Sequence, residues 1–271
     1  MTRRAFITGA AGGLGTSLAR QLDAVGYALV LTDLTLSDLE KVSTGLLQKP
    51  ELIEANLRDK NDLDRLCARL ENPDAPITLL INNAGIGVPG SADLISADLL
   101  HAHIDINLTA PMRLAAAAAR SMKVRSAGQI FSIVSLAGLF PLKDSAAYTA
   151  SKFGLRGFMA ALSLELTPHQ IKVGGIYPNA IDTPMLQQEM ANPAGSPLNF
   201  SGNDNPLSPD DTARAVMKAL QNGKLETWLP SIDGRLAGFV MTFPSLLRPV
   251  FTYLEKQGNK KKKAYLESIG K

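Results

Sequence analysis

Cysteine is all but missing from this chain: Cys67 is the only one among 271 residues. A single cysteine closes no intramolecular disulfide and builds no multi-cysteine metal centre. A reducing, cytoplasmic setting is the expectation that follows. Histidine is nearly as scarce. His101, His103 and His169 show no ligand spacing with other metal-binding types, so no catalytic metal is expected and the three rings should be satisfied on helices or at the surface. Charge of one sign is also lacking. The net value is only +3, and much of the excess sits in the run Lys260 to Lys263, which excludes a broad basic face for nucleic acid. Met1 to Arg4 leads directly into a strand-like run, without the apolar stretch and cleavage site of a signal peptide.

What is present suits a folded α/β protein. Apolar residues make up 45% and charged residues 20%, a balance that supports a core and argues against disorder. The length suits one large α/β domain or two small ones, and no internal boundary or repeat is visible, so residues 1–271 are expected to form one unit. Apolar strand-like runs alternate with helical patterns. Strands are expected at Ala5 to Thr8, Ala28 to Asp33, Glu51 to Leu57, Ile77 to Asn82, Gln129 to Val134 and Lys172 to Ile176. Helices are expected at Leu14 to Val25, Leu36 to Leu47, Asp62 to Leu70, Leu99 to Met122, Ala147 to Leu166 and Asp210 to Gln221. Strands that are apolar throughout belong in a parallel sheet covered on both faces, and the βαβα order points to an open doubly wound, Rossmann-type sheet.

The first strand runs into Gly9, Gly13 and Gly15, spaced Gly-x-x-x-Gly-x-Gly, with Leu14 opening a helix. Glycine lets backbone approach a ligand, and a helix N-terminus offers free N–H groups and partial positive charge to a pyrophosphate. Such a turn alone is a weak signal, since a tight strand-to-helix connection gives the same pattern. Its context favours the phosphate reading: Asp33 closes the second strand about 20 residues on, where an acid bonds both ribose hydroxyls of NAD. That carboxylate also repels a 2′-phosphate, and no Arg or Lys stands in the turn, so NAD is expected over NADP.

Tyr148 and Lys152 stand four residues apart near the start of a helix, on one face. A free phenol has a pKa of about 10, and a neighbouring cation lowers it. Tyr148 then serves as general base in oxidation and general acid in reduction. Ser135 ends a strand at the carboxyl edge, where open α/β sheets bind ligands, and its hydroxyl can bond the reacting oxygen. Either signal alone is more often a solvated helix face or a strand-end hydrogen bond; the joint pattern decides.

Together these motifs resemble the short-chain dehydrogenase/reductase (SDR) family. The matching features run from Thr8 to Met185, roughly two-thirds of the chain: the glycine turn, Asn82 to Gly85 after the fourth strand, Asn107 in a long helix, Ser135 thirteen residues before Tyr148, Lys152, and the run Tyr177 to Met185. The resemblance implies a seven-stranded parallel sheet and reversible hydride transfer at a secondary alcohol or ketone. It implies that Asn107, Ser135, Tyr148 and Lys152 are catalytic, with Asn107 holding a backbone kink and a water in a proton relay. It implies that Lys152 bonds the nicotinamide ribose, that Asn83, Ala84 and Gly85 contact the adenosine side and steady the sheet, and that Thr183 binds the carboxamide. Two departures stand out. The family's Asp and aliphatic residue at the adenine are here Asn56 and Leu57, where an amide can still serve. The family's Pro-Gly is here Pro178 and Asn179, and Asn is expected to keep the turn because it tolerates left-handed backbone. The resemblance also implies a homodimer or homotetramer paired through the two long helices.

Residues 186–208 fit the family's variable substrate loop; Gln187 to Pro209 is rich in Asn, Pro, Gly and Ser, and Met185, Leu186 and Met190 are candidate pocket residues. An apolar helical extension is expected over 228–271, dense in Trp, Leu, Val, Met and Phe. Arg248 and two prolines argue against a spanning helix there. Three readings stay open: helices packed on the core or a second subunit, an apolar lid for a lipophilic substrate such as a steroid or long-chain alcohol, or peripheral membrane contact aided by Lys260 to Lys263. For function, an NAD-dependent dehydrogenase leads. An NADP-dependent carbonyl reductase and a non-catalytic NAD-sensing or lipid-binding protein are the alternatives.

Overall fold

The computed structural model describes residues 2–191, 196–200 and 206–268. Seven strands form one sheet: β1 (Arg4–Thr8), β2 (Ala28–Asp33), β3 (Glu51–Glu54), β4 (Leu79–Asn82), β5 (Gly128–Ile133), β6 (Ile171–Pro178) and β7 (Glu226–Leu229). All pairings are parallel, in the order β3-β2-β1-β4-β5-β6-β7. The strand order reverses between β1 and β4, and a doubly wound sheet opens a ligand crevice at that point.

The alternation of side chains along each strand feeds two separate cores. Phe6, Val30, Leu80, Ile130 and Val173 face α3 (Lys60–Glu71), α5 (Ala110–Arg125) and α6 (Ala146–Leu166). Ile7, Leu31, Ile81, Phe131 and Ile176 face α1 (Gly13–Ala24), α2 (Leu36–Ser43) and α8 (Pro209–Asn222). Both faces of the sheet are thus apolar, which is why these strands read as continuous hydrophobic runs. Ala115, Ala117, Ala118 and Ala119 bring α5 close against the sheet, where larger side chains would hold it off.

The long helix expected over Leu99 to Met122 is split. α4 (Ala97–Ile104) and α5 are joined by a π-helical turn at Asp105–Thr109. Pro111 explains it: with no N–H it cannot bond the carbonyl of Asn107, so the ladder loosens there. Further departures lie toward the carboxyl end. A short helix α7 (Pro184–Met190) occupies the start of the expected 186–208 loop, capped by the Thr183 hydroxyl, and the middle of that loop lies outside the described residues. The extension expected from 228 begins later. Trp228 and Leu229 belong to β7, paired on Tyr177 and Pro178, and the helical part is α9 (Ser231–Thr242) and α10 (Leu247–Ser268). Among the described residues no helix is long and apolar enough to cross a membrane.

Candidate active site

A cleft of about 790 Å³ runs along the carboxyl ends of the central strands. Of the residues singled out in the sequence, Gly9, Gly13, Leu14, Gly15, Asp33, Asn56, Leu57, Asn83, Ala84, Gly85, Ser135, Tyr148, Lys152, Pro178 and Thr183 all line it. Asn107 stands just behind the wall, fully buried.

At one end, the turn after β1 has room for glycine and nothing larger. A Cβ on Gly15 would lie 2.1 Å from the Gly9 carbonyl oxygen. Gly9 takes φ +63°, and a Cβ there would meet Ala84 Cα at 2.8 Å. Helix α1 follows Gly12, which caps it without a side chain, and has no acid in its first turn. Its leading N–H groups therefore face the cleft without a side-chain acceptor, and an anionic pyrophosphate suits that place. Asp33 sits alongside, its Oδ2 accepting from Ala11 N and its Oδ1 from Leu34 N, both at 2.8 Å. Asn56 accepts from Arg58 N at 3.0 Å through Oδ1, so its N–H₂ remains as the donor on the cleft wall. These residues fit the adenosine diphosphate half of a dinucleotide.

Asn83 binds the turn to β4 rather than reaching outward. Its side-chain amide donates to the Thr8 and Gly9 carbonyls at 2.9 Å each, while Thr8 Oγ1 accepts from Asn83 N and Ala84 N at 3.0 Å. Asn107 does similar work one layer back. It donates to Ile86 O at 2.9 Å and to Ser151 Oγ at 3.2 Å, and its Oδ1 accepts from Ile86 N at 2.9 Å. This buried amide lies within the π-helical turn.

At the other end, Ser135, Tyr148 and Lys152 converge. Ser135 Oγ accepts from Ala137 N at 3.0 Å. Lys152 is buried, donates to the Ile133 carbonyl at 3.3 Å, and holds its Nζ 5.6 Å from the Tyr148 ring centre. Burial pushes Tyr148 up to about 12; the Ser135 hydroxyl works in the opposite direction and the Glu189 carboxylate adds to the rise. Burial likewise brings Lys152 down to about 8. Among this chain's own groups, then, the phenol is raised rather than lowered. The lowering expected from Lys152 is not found: burial sets the rise, and only the Ser135 hydroxyl opposes it. The ring of His103 packs edge-on to Tyr148 at 6.3 Å. Its Nε2 accepts from Val88 N and its Nδ1 donates to Leu99 O, so both nitrogens are used within the fold.

Thr183 crosses between the two ends. Its methyl lies 3.2 Å from where a Gly13 Cβ would stand, so the loop after β6 presses on the glycine turn. Asn179 is not left-handed. It holds the loop through its side chain, accepting from Ala180 N and donating to Asp233 Oδ2, both at 2.9 Å. A glycine could do neither.

Sequence reasoning missed several cleft residues. Glu189, Leu142, Ile86, Ile106, Arg20 and Lys41 line the cleft as well. Glu189 is one turn beyond Met185 on α7, so a helix there would have flagged it. Lys262 of α10 is buried and its pKa lowered by burial, opposed by the carboxylates of Asp144 and Glu189. The carboxyl-terminal helix therefore reaches the same wall.

A parallel sheet with a glycine turn at its switch point, and a serine, tyrosine and lysine meeting at the same edge, defines an oxidoreductase of the Rossmann type. The chain belongs to the short chain dehydrogenase family, whose model matches residues 3–194. It is 33% identical over 184 residues to the 2,3-dihydro-2,3-dihydroxybenzoate dehydrogenase of Bacillus subtilis (strain 168), covering 67% of this chain and 70% of that protein. It is 30% identical over 244 residues to the dehydrogenase/reductase SDR family protein 7-like of Anopheles gambiae, covering 86% and 76%. Among solved structures, a short-chain dehydrogenase from Sphingobium yanoikuyae in complex with NADPH superposes with a TM-score of 0.77 at 26% identity, covering 91% of this chain and 95% of that one. The bulky-bulky ketone specific alcohol dehydrogenase from Comamonas testosteroni gives 0.76 at 26% identity, covering 91% and 94%.

Proposed function

We propose that this protein transfers a hydride between NAD(H) and a lipophilic secondary alcohol or ketone. The observation that carries the reading is the meeting of Ser135, Tyr148 and Lys152 on one cleft whose far end is closed by Asp33 and the glycine turn. The nicotinamide, when bound, supplies the hydride acceptor or donor. The chain's own residues handle the proton. Tyr148, protonated at neutral pH, is placed to give its phenol proton to a carbonyl oxygen, leaving the phenolate, and in reverse the phenolate takes the alcohol proton back at the same Oη. Ser135 offers a hydroxyl to the same oxygen and steadies its developing charge. Lys152, at about 8, is still mainly ammonium at neutral pH and places positive charge beside the phenol ring. Asn107 anchors the Ile86 segment that forms the wall behind them.

The choice of NAD rests on Asp33, whose carboxylate is pinned into the cleft and repels a 2′-phosphate. Arg20 on the same wall favours the second reading, NADP, and the Sphingobium and a metagenomic relative were solved with NADPH and NADP. The lipophilic substrate rests on the apolar lining by Ile86, Ile106, Leu142, Met185 and Leu186. Pairing of copies through α5 and α6 belongs to the same reading and is supported by exposed Met112 and Leu164 on those helices. A role without catalysis would leave the three convergent side chains without a task. The test is a screen of aliphatic, steroid and sugar alcohols with NAD⁺ and NADP⁺ at equal concentration, read by reduced-cofactor fluorescence. Turnover of apolar secondary alcohols with NAD⁺ is expected; an NADP⁺ preference, or turnover confined to sugars, overturns the corresponding part.

A further inference from the structure

Helix α9 presents an apolar stripe to the outside. Ile232, Leu236, Phe239 and Phe243 recur at helical spacing and Leu246 continues the line; each is between 37% and 73% exposed. The rings of Phe239 and Phe243 touch, with centres 5.2 Å apart, so the stripe is continuous. The opposite face of α9 is fully engaged. Ala237 and Val240 are buried, and Gly234 lies so close to Trp228 that a Cβ would stand 2.4 Å from that side chain. The stripe is therefore not a core face turned the wrong way: the helix is seated, and this side is left over.

The charges around it are arranged with one sign outward. From Ser231 to Ser268 there are seven Lys or Arg against three Asp or Glu, six of the seven exposed and only Lys262 turned in to the cleft wall, whereas the whole chain nets only +3. The three acids are spoken for: Asp233 accepts from Asn179, Glu255 pairs with Lys143 at 2.6 Å, and Glu267 lies 3.9 Å from Lys263. Arg235 within the stripe and Arg248 just past it are exposed and have no carboxylate partner among the described residues. Aromatic and aliphatic side chains between unpaired arginines match the acyl boundary and headgroups of an anionic lipid surface. A second copy of the chain fits less well. A two-fold contact on this stripe would bring four arginines into one interface, while the acids of α9 and α10 are already engaged within the chain.

We propose that α9 and the start of α10 lie on an anionic membrane surface, the stripe seated among the acyl chains and Arg235 and Arg248 at the phosphates. The helix is tied to the cleft through Asn179 and Asp233, and Phe251 of α10 stacks on Phe140 with centres 6.3 Å apart, beside the cleft residue Leu142. Docking would therefore set the substrate side of the cleft near the lipid.

The experiment is flotation of the full chain with phosphatidylcholine vesicles, with and without phosphatidylglycerol. Retention is expected on the anionic vesicles alone and should fall as salt is raised. Leu236→Ser with Phe239→Ser should reduce it by about tenfold or more, and Arg235→Glu with Arg248→Glu by at least about fivefold for each charge removed. All four positions are exposed, so the unfolding midpoint should not move. No retention on anionic vesicles overturns the proposal, as does equal retention on neutral ones. A concentration-dependent dimer lost in the serine variant, without flotation, assigns the stripe to a second copy instead. None of these readouts depends on turnover, so failure here leaves the enzymatic reading standing.

Discussion

Ala11 donates its backbone N–H to Asp33 Oδ2 at 2.8 Å, so one carboxylate joins the end of β2 to the glycine turn. The same group that would read the ribose also holds the loop that would hold the phosphates. Asp33→Ser should therefore weaken NAD⁺ binding by roughly ten- to a hundredfold, the scale of a charged hydrogen bond, and shift relative kcat/KM toward NADP⁺. Steady-state kinetics with both cofactors checks this; an unchanged ratio removes Asp33 from cofactor choice.

Gly15 has no room for a side chain, since a Cβ would lie 2.1 Å from the Gly9 carbonyl. Gly15→Ala must open the turn. We expect a loss of about 1–3 kcal/mol or more in urea unfolding, together with loss of NADH binding by fluorescence titration. Wild-type binding in the variant would show that the turn is loose.

Much of this site was legible because its residues announce themselves locally. Three glycines after a strand, an acid closing the next strand and a tyrosine four residues before a lysine need no knowledge of tertiary contacts. What escaped the sequence depends on those contacts. β7 has only four residues, all half-buried, and no alternation to reveal it; it forms because β6 offers an edge. The break between α4 and α5 was hidden by a helical period that continues through it, although Pro111 marked the spot. The rise of the Tyr148 pKa could not be read from a neighbouring lysine, because burial rather than spacing sets it. The left-handed turn expected at Asn179 is replaced by side-chain bonds, one of them to Asp233 on a helix 54 residues on, which no local pattern encodes.

Asn107 satisfies both backbone groups of Ile86 from a fully buried position. Asn107→Ala orphans a donor and an acceptor, and should cost about 2–4 kcal/mol in denaturant unfolding. Asn107→Leu should cost no less, since the loss is of partners and not of volume. A change within experimental error for either variant would contradict the bonding described.

Lys152 titrates at about 8 in the folded chain against 10.5 for the free side chain, because burial penalises the ammonium. Between those values the unfolded chain binds the extra proton, so stability attributable to this group rises with pH. Below 8 both states are protonated and the contribution is flat. The stability difference between wild type and Lys152→Met, measured by urea unfolding at stepped pH, should therefore grow in favour of wild type from pH 8 toward 10.5. A difference that does not vary with pH would mean that the ammonium is not desolvated.

In the proposed reaction the Tyr148 oxygen is the group that gives and takes the proton. Tyr148→Phe removes that atom and leaves the ring, its packing on His103 and the whole nucleotide end of the cleft in place. With an alcohol that the wild type oxidises, the variant should bind NADH with unchanged affinity and lose turnover by roughly 10²–10⁴-fold. Turnover close to wild type, with NADH bound equally well, would contradict the account at its centre.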